Sequence, residues 1–155
     1  MSFAPGHISL TFAIWPDQDL LKMGSTGIGI VLSQGVHCAV VKEQSEVKDN
    51  VVIIENKKVD DLVTLRAIDL LGFKDKGLTI YLRHDLPLGS GFGISGASAL
   101  AACLELEKDI DICVKAAHQA EVEFKTGLGD VVAIAESIRQ TVFPAIVVRN
   151  TPGFN

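Results

Sequence analysis

The chain has 155 residues, enough for one domain, and carries 14 Lys plus Arg against 19 Asp plus Glu, for a formal net charge of −5. Hydrophobic residues make up 48% of the sequence and charged residues 21%, a composition typical of soluble globular proteins. The acidic balance argues against a broad nucleic-acid-binding surface, because such a surface needs clustered Lys and Arg. Any site for an anion must therefore be built locally.

Neither targeting nor redox signals stand out. Residues 1–7 contain no basic segment leading into an apolar core, and no run approaches the roughly 18 apolar residues of a membrane-spanning helix. The three cysteines have no C-x-x-C spacing and are interpreted as small buried side chains in a reducing compartment; they are Cys38, Cys103 and Cys113. The four histidines form no metal-ligand pattern. We expect a cytoplasmic protein without membrane or nucleic-acid partners.

The first half of the chain carries the strand signals. Apolar residues alternate with other residues, or form short β-branched runs, in five segments. These predicted strands cover residues 3–15, 27–33, 36–42, 51–55 and 78–83. Gln34 and Gly35, between the second and third segments, predict a hairpin turn. A helix interrupts the series, since Asp60 or Asp61 can cap a segment that extends to about Leu71 and stops at Gly72.

The second half carries the helix signals. Residues 95–107 are rich in Ala and Leu, and Asp109 can cap a helix that reaches Phe124. A glycine-containing break at 127–129 precedes a further short helix around residues 131–138. Pro144 then opens a final strand over residues 145–149. Strands first and helices later predict an α+β domain, with a mixed or antiparallel sheet that has its helices on one face.

A strand, a glycine-rich loop and a helix follow one another between residues 78 and 107. Glycine permits positive φ angles and lets a ligand approach the backbone. The first N–H groups of a helix carry roughly half a positive charge, so phosphate is a natural ligand. No Lys follows the glycines, which excludes a P-loop, and the spacing is not that of a dinucleotide fold. A turn that only allows close strand–helix packing remains the structural alternative.

This loop resembles the P-x-x-x-G-L-G-S-S-A signature of the GHMP kinases, the superfamily of galactokinase, homoserine kinase, mevalonate kinase and phosphomevalonate kinase. The resemblance implies an ATP-dependent small-molecule kinase in which the loop wraps the ATP phosphates. The implied phosphate-binding residues are Pro87, Gly89, Ser90, Gly91, Phe92, Gly93, Ser95, Gly96 and Ala97. Ile94 replaces the first serine of the family's Ser-Ser pair, so Ser95 is the hydroxyl expected to help hold Mg²⁺.

Two further segments resemble the same superfamily. Residues 4–7 match its opening A-P-G-[KR] strand, with His7 in place of the cation. This implies a catalytic or substrate-binding role, with a buried structural histidine as the alternative. Residues 117–133 resemble the segment in which a helix Glu precedes a glycine turn and a catalytic Asp. Glu121 is therefore a candidate Mg²⁺ ligand, or else a surface residue. Asp130 is the candidate base, kept ionised at a helix start, or else a helix cap.

Within the superfamily, residues 5–8, 24–29 and 126–133 resemble the archaeal pantoate kinases, which phosphorylate pantoate from ATP on the archaeal route to coenzyme A. The implied substrate pocket contains His7, Gly24, Ser25, Gly27 and Gly127. Another activity of the superfamily, of the mevalonate or homoserine kinase type, is one alternative. A non-catalytic binding or assembly domain is the other.

The length of the chain bears on its domain organisation. GHMP kinases are nearly twice as long, whereas the resemblance here extends from residue 3 to about residue 153. We expect residues 1–155 to form a single N-terminal, ATP-binding domain with the ribosomal protein S5 domain 2-like fold, and the C-terminal domain to be absent. The implied partner, besides a small-molecule alcohol, is a second copy of the chain or a separate C-terminal half. An exposed apolar face would favour the dimer.

Overall fold

The computed structural model describes residues 1–42 and 47–149, so the end of the family resemblance, at residues 150–153, lies outside the described residues. The secondary structure alternates long strands with helices that cluster in the second half. In chain order the elements are β1 (Ser2–Trp15), β2 (Gly24–Lys42), β3 (Val51–Ile54), β4 (Lys57–Val59), α1 (Leu62–Leu70), β5 (Leu78–His84), α2 (Ile94–Leu106), α3 (Ile110–Phe124), α4 (Asp130–Gln140) and β6 (Ala145–Arg149).

The sheet is organised around β2, which pairs with three other strands. Its strand order is β1-β2-β5-β3-β4, and β6 also pairs with β2. β1 occupies one edge of β2, while β5 and β6 share the opposite edge, at residues 36–42 and 27–31 respectively. β3 and β5 are parallel, and the other pairs are antiparallel. The predicted mixed sheet in an α+β domain is confirmed.

The helices pack on one face of this sheet. α2 lies in the middle and is buried along residues 96–103, in contact with both β1 and β2 and with the other three helices. The small side chains of α2 allow this close approach from several sides, because Ala adds little volume to a crowded interface. The opposite face of the sheet exposes Ile28, Tyr81, Ile146 and Val148. The predicted one-sided arrangement of helices is therefore confirmed.

The predicted hairpin at Gln34-Gly35 is wrong, because β2 continues through this point as one strand. The pairing of β1 with β2 shifts register here, from Pro5 opposite Gly35 to His7 opposite Val31. A Cβ atom on Gly35 would lie 2.2 Å from the Ala4 carbonyl oxygen. The glycine signal thus marks a close backbone approach at a β-bulge, and the connection between β1 and β2 is made by residues 16–23.

A second hairpin was not predicted. β3 and β4 are antiparallel, with Ile54 opposite Lys57, and Glu55 and Asn56 form the two-residue turn with φ angles of 50° and 61°. Positive φ at both positions is typical of the turn type that matches strand twist. The sequence did not predict β4, because Lys57 and Lys58 give no apolar alternation. A short edge strand can be polar in this way.

The cysteines and helices give two further results. Cys38, Cys103 and Cys113 are buried and free, as interpreted from the sequence. Burial raises the pKa of the Cys38 thiol to about 12, so this side chain behaves as a hydrophobe rather than as a nucleophile. Among the described residues, every helix is too short or too polar to cross a membrane.

Helix α1 is capped by Asp61, which resolves the choice between Asp60 and Asp61. The Asp61 carboxylate accepts hydrogen bonds from the Thr64 backbone N–H at 3.0 Å and from the Thr64 hydroxyl at 2.7 Å. Gly72 follows the helix with a φ of 86°, the left-handed conformation that ends many helices.

Asp61→Ala is expected to lower the free energy of unfolding by about 1 kcal/mol, because both Thr64 groups lose their acceptor. Urea denaturation followed by circular dichroism measures the loss. Asp60→Ala is the matched control, since Asp60 is the neighbouring carboxylate and is exposed; its effect is expected to stay within about 0.5 kcal/mol. Equal losses from the two variants would contradict the assignment of the cap.

Candidate active site

The glycine-rich loop, residues 85–93, connects β5 to α2 and ends directly on the first turn of that helix. Three of its residues adopt the left-handed conformation that favours glycine, with φ angles of 76°, 80° and 62° for Gly89, Gly91 and Gly93. No side chain of the described residues caps α2 at Gly93. The first N–H groups of α2 are therefore available to an anion bound in the loop.

β1 places His7 directly beneath this loop. The His7 backbone N–H donates to the Phe92 carbonyl at 2.8 Å, and the imidazole ring is fully buried. Its Nδ1 lies 2.6 Å from Asp130 Oδ1. Its Nε2 lies against Gly29, where a Cβ atom would be 2.0 Å away, and has no hydrogen-bond partner among the described residues. A proton on Nε2 would leave a buried N–H unpaired, so we assign the proton to Nδ1, which donates to Asp130.

Asp130 is the first residue of α4, and its carboxylate is about one-fifth exposed. The carboxylate thus lies at the N-terminal end of α4 and accepts a hydrogen bond from the Nδ1–H of His7. The Asp130 side chain also packs beside Gly93, since a Cβ atom built there would be 3.4 Å from Asp130 Cγ. The structure thus brings together the predicted base, the predicted histidine and the last glycine of the loop.

Glu121 lies near the end of α3 and is buried to 1% exposure. Burial, with a smaller contribution from the Asp130 charge, raises the pKa of its carboxyl from the ordinary value of 4.5 to about 8. Its Oε2 has no hydrogen-bond partner among the described residues. Cβ atoms built on Gly96 and Gly127 would lie 2.7 Å and 2.5 Å from this oxygen. The two glycines therefore make room for a buried carboxylate.

The neighbouring Glu123 has a different environment. Its carboxylate accepts hydrogen bonds from the Arg66 guanidinium at 2.7 and 3.1 Å, and this contact lowers the pKa of Glu123. Two positions along α3, on the other side of the helix, thus separate a carboxylate paired with Arg66 from a buried one that lacks a complete set of partners. The surface alternative that the sequence left open for Glu121 does not hold.

Two clefts meet at Asp130. The first, of about 530 Å³, lies over the glycine loop and is lined by Gly89, Gly91, Phe92, Gly93, Ser95 and Glu121. The second, of about 740 Å³, has mainly apolar walls formed by Phe12, Leu20, Met23, Val122 and Leu128. Ser9, Thr126 and Asp130 line both. A group in the first cleft and a group in the second would therefore come together at Asp130.

The remaining residues of the predicted site are distributed unevenly. Ser25 and Gly127 line the second cleft. Gly24 and Gly27 lie in β2 without lining it, and a Cβ atom on Gly27 would be 1.9 Å from the Thr11 carbonyl oxygen. Ser90 is exposed, whereas Gly96 and Ala97 are buried inside α2. Pro87 stands at the start of the loop.

Sequence reasoning missed an apolar groove next to the glycine loop. This groove of about 350 Å³ is lined by Ile54, Val59, Val63, Leu88 and Phe124, and it also contains Ser95. Leu88 and Ser95 line the first cleft as well. The contributing residues come from β3, β4, α1, the loop and α3, so no local pattern in the sequence could have grouped them.

Comparisons with known proteins agree with this geometry. A family model for the N-terminal domain of GHMP kinases matches residues 61–137. The pantoate kinase of Methanocaldococcus jannaschii is 36% identical over 98% of this chain and 54% of its own length. The pantoate kinase of Methanospirillum hungatei is 33% identical over 98% of this chain and 53% of its own length. The chain thus spans about half the length of the curated relatives it matches.

Solved structures give the same result for the fold. A phosphotransferase related to the CoA biosynthesis pathway superimposes with a TM-score of 0.76 at 30% identity, covering 86% of this chain and 48% of that one. The mevalonate kinase of Methanococcus jannaschii superimposes with a TM-score of 0.64 at 15% identity, covering 98% of this chain and 53% of that one. The second likeness concerns the fold alone.

Glu121→Gln is expected to gain stability relative to the wild type as the pH rises. The folded chain resists ionisation of Glu121 up to a pKa of about 8, whereas the unfolded chain ionises near 4.5. The wild type therefore loses stability between these values, and the variant does not. Urea denaturation without divalent cations, at about pH 5 and about pH 9, measures the difference.

Glu123→Gln is the matched control, because the pKa of Glu123 is shifted in the opposite direction. Its stability relative to the wild type is expected to fall as the pH rises through the range in which Glu123 ionises. Parallel pH profiles for the two variants would contradict the assignment of Glu121 as the buried, incompletely partnered carboxylate.

Proposed function

We propose that this chain, which belongs to the GHMP kinases, transfers the γ-phosphoryl group of ATP to the hydroxyl of pantoate. The observation that carries the proposal is the position of Asp130, between a glycine loop suited to phosphate and an apolar cleft suited to a small alcohol. Pantoate is proposed as the acceptor because relatives that are 30 to 36% identical are named pantoate kinases.

The phosphates of ATP would lie in the first cleft. Gly89, Gly91 and Gly93 have positive φ angles, a backbone conformation in which successive N–H groups can bind an anion, and the start of α2 would add its dipole. This arrangement needs no cluster of Lys or Arg, which is consistent with the acidic composition. The neighbouring apolar groove, which shares Leu88 and Ser95 with this cleft, would take the adenine base.

The donor set also fits a magnesium ion. Glu121 offers a buried carboxylate oxygen that has no partner among the described residues, and the Ser95 hydroxyl lines the same cleft. No group of three His, Cys, Asp or Glu residues that could hold a metal by itself occurs in the described part of the chain. Mg²⁺ commonly binds through one or two carboxylates together with phosphate and water. When bound, it would offset the charge of the triphosphate and keep Glu121 ionised.

Asp130 would orient the pantoate hydroxyl and accept its proton. His7 Nδ1 lies 2.6 Å from one oxygen of the Asp130 carboxylate and so restricts the orientation of a carboxylate that lines both clefts. In-line phosphoryl transfer depends mainly on such positioning and on electrostatic stabilisation. The proposed role of His7 is therefore to position Asp130, because its buried ring reaches neither cleft directly.

We also propose that residues 1–155 act as the N-terminal, ATP-binding half of the kinase, and that a second half closes the clefts. The curated relatives are about twice as long as the matched region. The face of the sheet opposite the helices exposes Ile28, Ile146 and Val148, as expected of a surface that packs against another chain or domain.

The purified chain is expected to bind ATP more tightly with Mg²⁺ than without it. Ser95→Ala is expected to weaken binding about tenfold in the presence of Mg²⁺ and much less in its absence, because the lost hydroxyl acts through the metal. Isothermal titration calorimetry measures both affinities. If the chain does not bind ATP either with or without Mg²⁺, the result would support the alternative of a non-catalytic domain.

Asp130→Ala is expected to reduce turnover of pantoate by about a hundredfold or more and to leave the ATP affinity within about threefold, because a positioned base contributes at this scale. The assay measures ADP release by the wild type and the variant under the same conditions. Unchanged turnover would refute the assigned role of Asp130.

Mevalonate and homoserine are the comparison substrates in this assay. Faster turnover of either than of pantoate would assign the chain a different activity of the superfamily. The proposed role of Asp130 would still hold after that result, because the position of its carboxylate does not depend on which alcohol occupies the second cleft.

A further inference from the structure

Lys125 occupies a backbone position that favours glycine. It ends α3 with a φ of 57° and a ψ of 34°, and its N–H donates to the Glu121 and Val122 carbonyls. Glycine is the usual residue at such a left-handed helix end, since a Cβ atom makes this conformation less favourable. A lysine retained there costs stability, and residues in such conformations cluster at functional sites. We therefore expect the Lys125 side chain to have a function that offsets this loss of stability.

The Lys125 side chain lines the apolar cleft beside Asp130 and is the only Lys or Arg among the residues that line it. Glu123, on the same wall, is already neutralised by Arg66. The ammonium of Lys125 has no ion-pair or hydrogen-bond partner in the described part of the chain. The cleft thus offers one unpaired cation, Lys125, as well as the Asp130 carboxylate.

The other walls of this cleft are mainly apolar and include Phe12, Leu20 and Val122. An acceptor that fits must present a hydroxyl to Asp130 and an apolar body to the walls. A carboxylate on the acceptor would be repelled by Asp130, which lines the same cleft, unless a cation faced it. Pantoate has this chemistry, with a hydroxyl and a carboxylate at opposite ends of a dimethyl-substituted chain.

We propose that the Lys125 ammonium binds the carboxylate of the acceptor, which makes the cleft selective for hydroxy acids over uncharged alcohols. This inference rests on the proposed function. The competing interpretation is that Lys125 only stabilises the C-terminal end of α3 through the helix dipole. The two interpretations differ in their effect on ligands: a dipole role alters stability and treats charged and neutral ligands alike.

The test compares Lys125→Met with Lys125→Arg and Lys125→Gly, using calorimetric titration of pantoate and of its primary amide, which lacks the charge. In the wild type, pantoate is expected to bind roughly tenfold or more tightly than the amide, as expected of a charge-assisted hydrogen bond. Lys125→Met abolishes this preference and leaves the ATP affinity unchanged. Lys125→Arg retains most of it.

Lys125→Gly is expected to lose the preference while its midpoint of thermal unfolding stays equal to that of the wild type or rises, since glycine suits the backbone. Lys108→Met, an exposed lysine in the turn between α2 and α3, is the matched control and is expected to leave both affinities unchanged. These results together separate a ligand-binding role from a stabilising one.

A Lys125→Met variant that weakens pantoate and amide equally, or weakens neither, overturns the inference while the proposed function stands. A wild-type protein that binds ATP but does not bind pantoate overturns the proposed acceptor, and this inference with it. The two failures are therefore distinguishable by the wild-type titration.

Discussion

The hydrogen bond between the His7 ring and the Asp130 carboxylate joins β1 to α4 at the point where the two clefts meet. Three other contacts are made by the same two residues. The His7 backbone holds the loop through the Phe92 carbonyl, the ring fills the space that Gly29 leaves open, and Asp130 packs beside Gly93. These contacts connect the glycine loop, β1 and the start of α4 through two neighbouring side chains.

A second constraint is the burial of Glu121. A carboxylate that lacks a partner for one oxygen destabilises the folded chain, and proteins retain such groups mainly at functional sites. The cost extends to Gly96 and Gly127, which give up side-chain packing so that the carboxylate fits. The fold is thus less stable here than an apolar core would be, and the incompletely satisfied oxygen is what a cation would use.

Sequence patterns predicted correctly those features that depend only on neighbouring residues. Asp61, Asp109 and Gly72 mark helix ends by their own chemistry, and the alternation in residues 3–15 reports a strand directly. The hairpin expected at Gln34-Gly35 failed because a glycine that permits close approach looks the same in sequence as a glycine that turns the chain. The apolar groove could not be foreseen either, since Ile54, Leu88 and Phe124 meet only through tertiary packing. Likewise the sequence placed Gly127 in a pocket, but its contact with the Glu121 carboxylate depends on how α3 ends.

The position of β6 affects the order in which the chain can fold. β6 pairs with Gly27–Val31 of β2, from which it is separated by more than a hundred residues, and Val147 completes a small cluster with Val31 and Ala133. During synthesis, β1 and β2 emerge early, and this stretch of β2 keeps an unpaired edge until residues 145–149 leave the ribosome. Contacts of such long sequence separation slow folding, and an open apolar edge invites pairing with other nascent chains. The sheet that carries His7 is therefore completed only after helices α1 to α4 have been made.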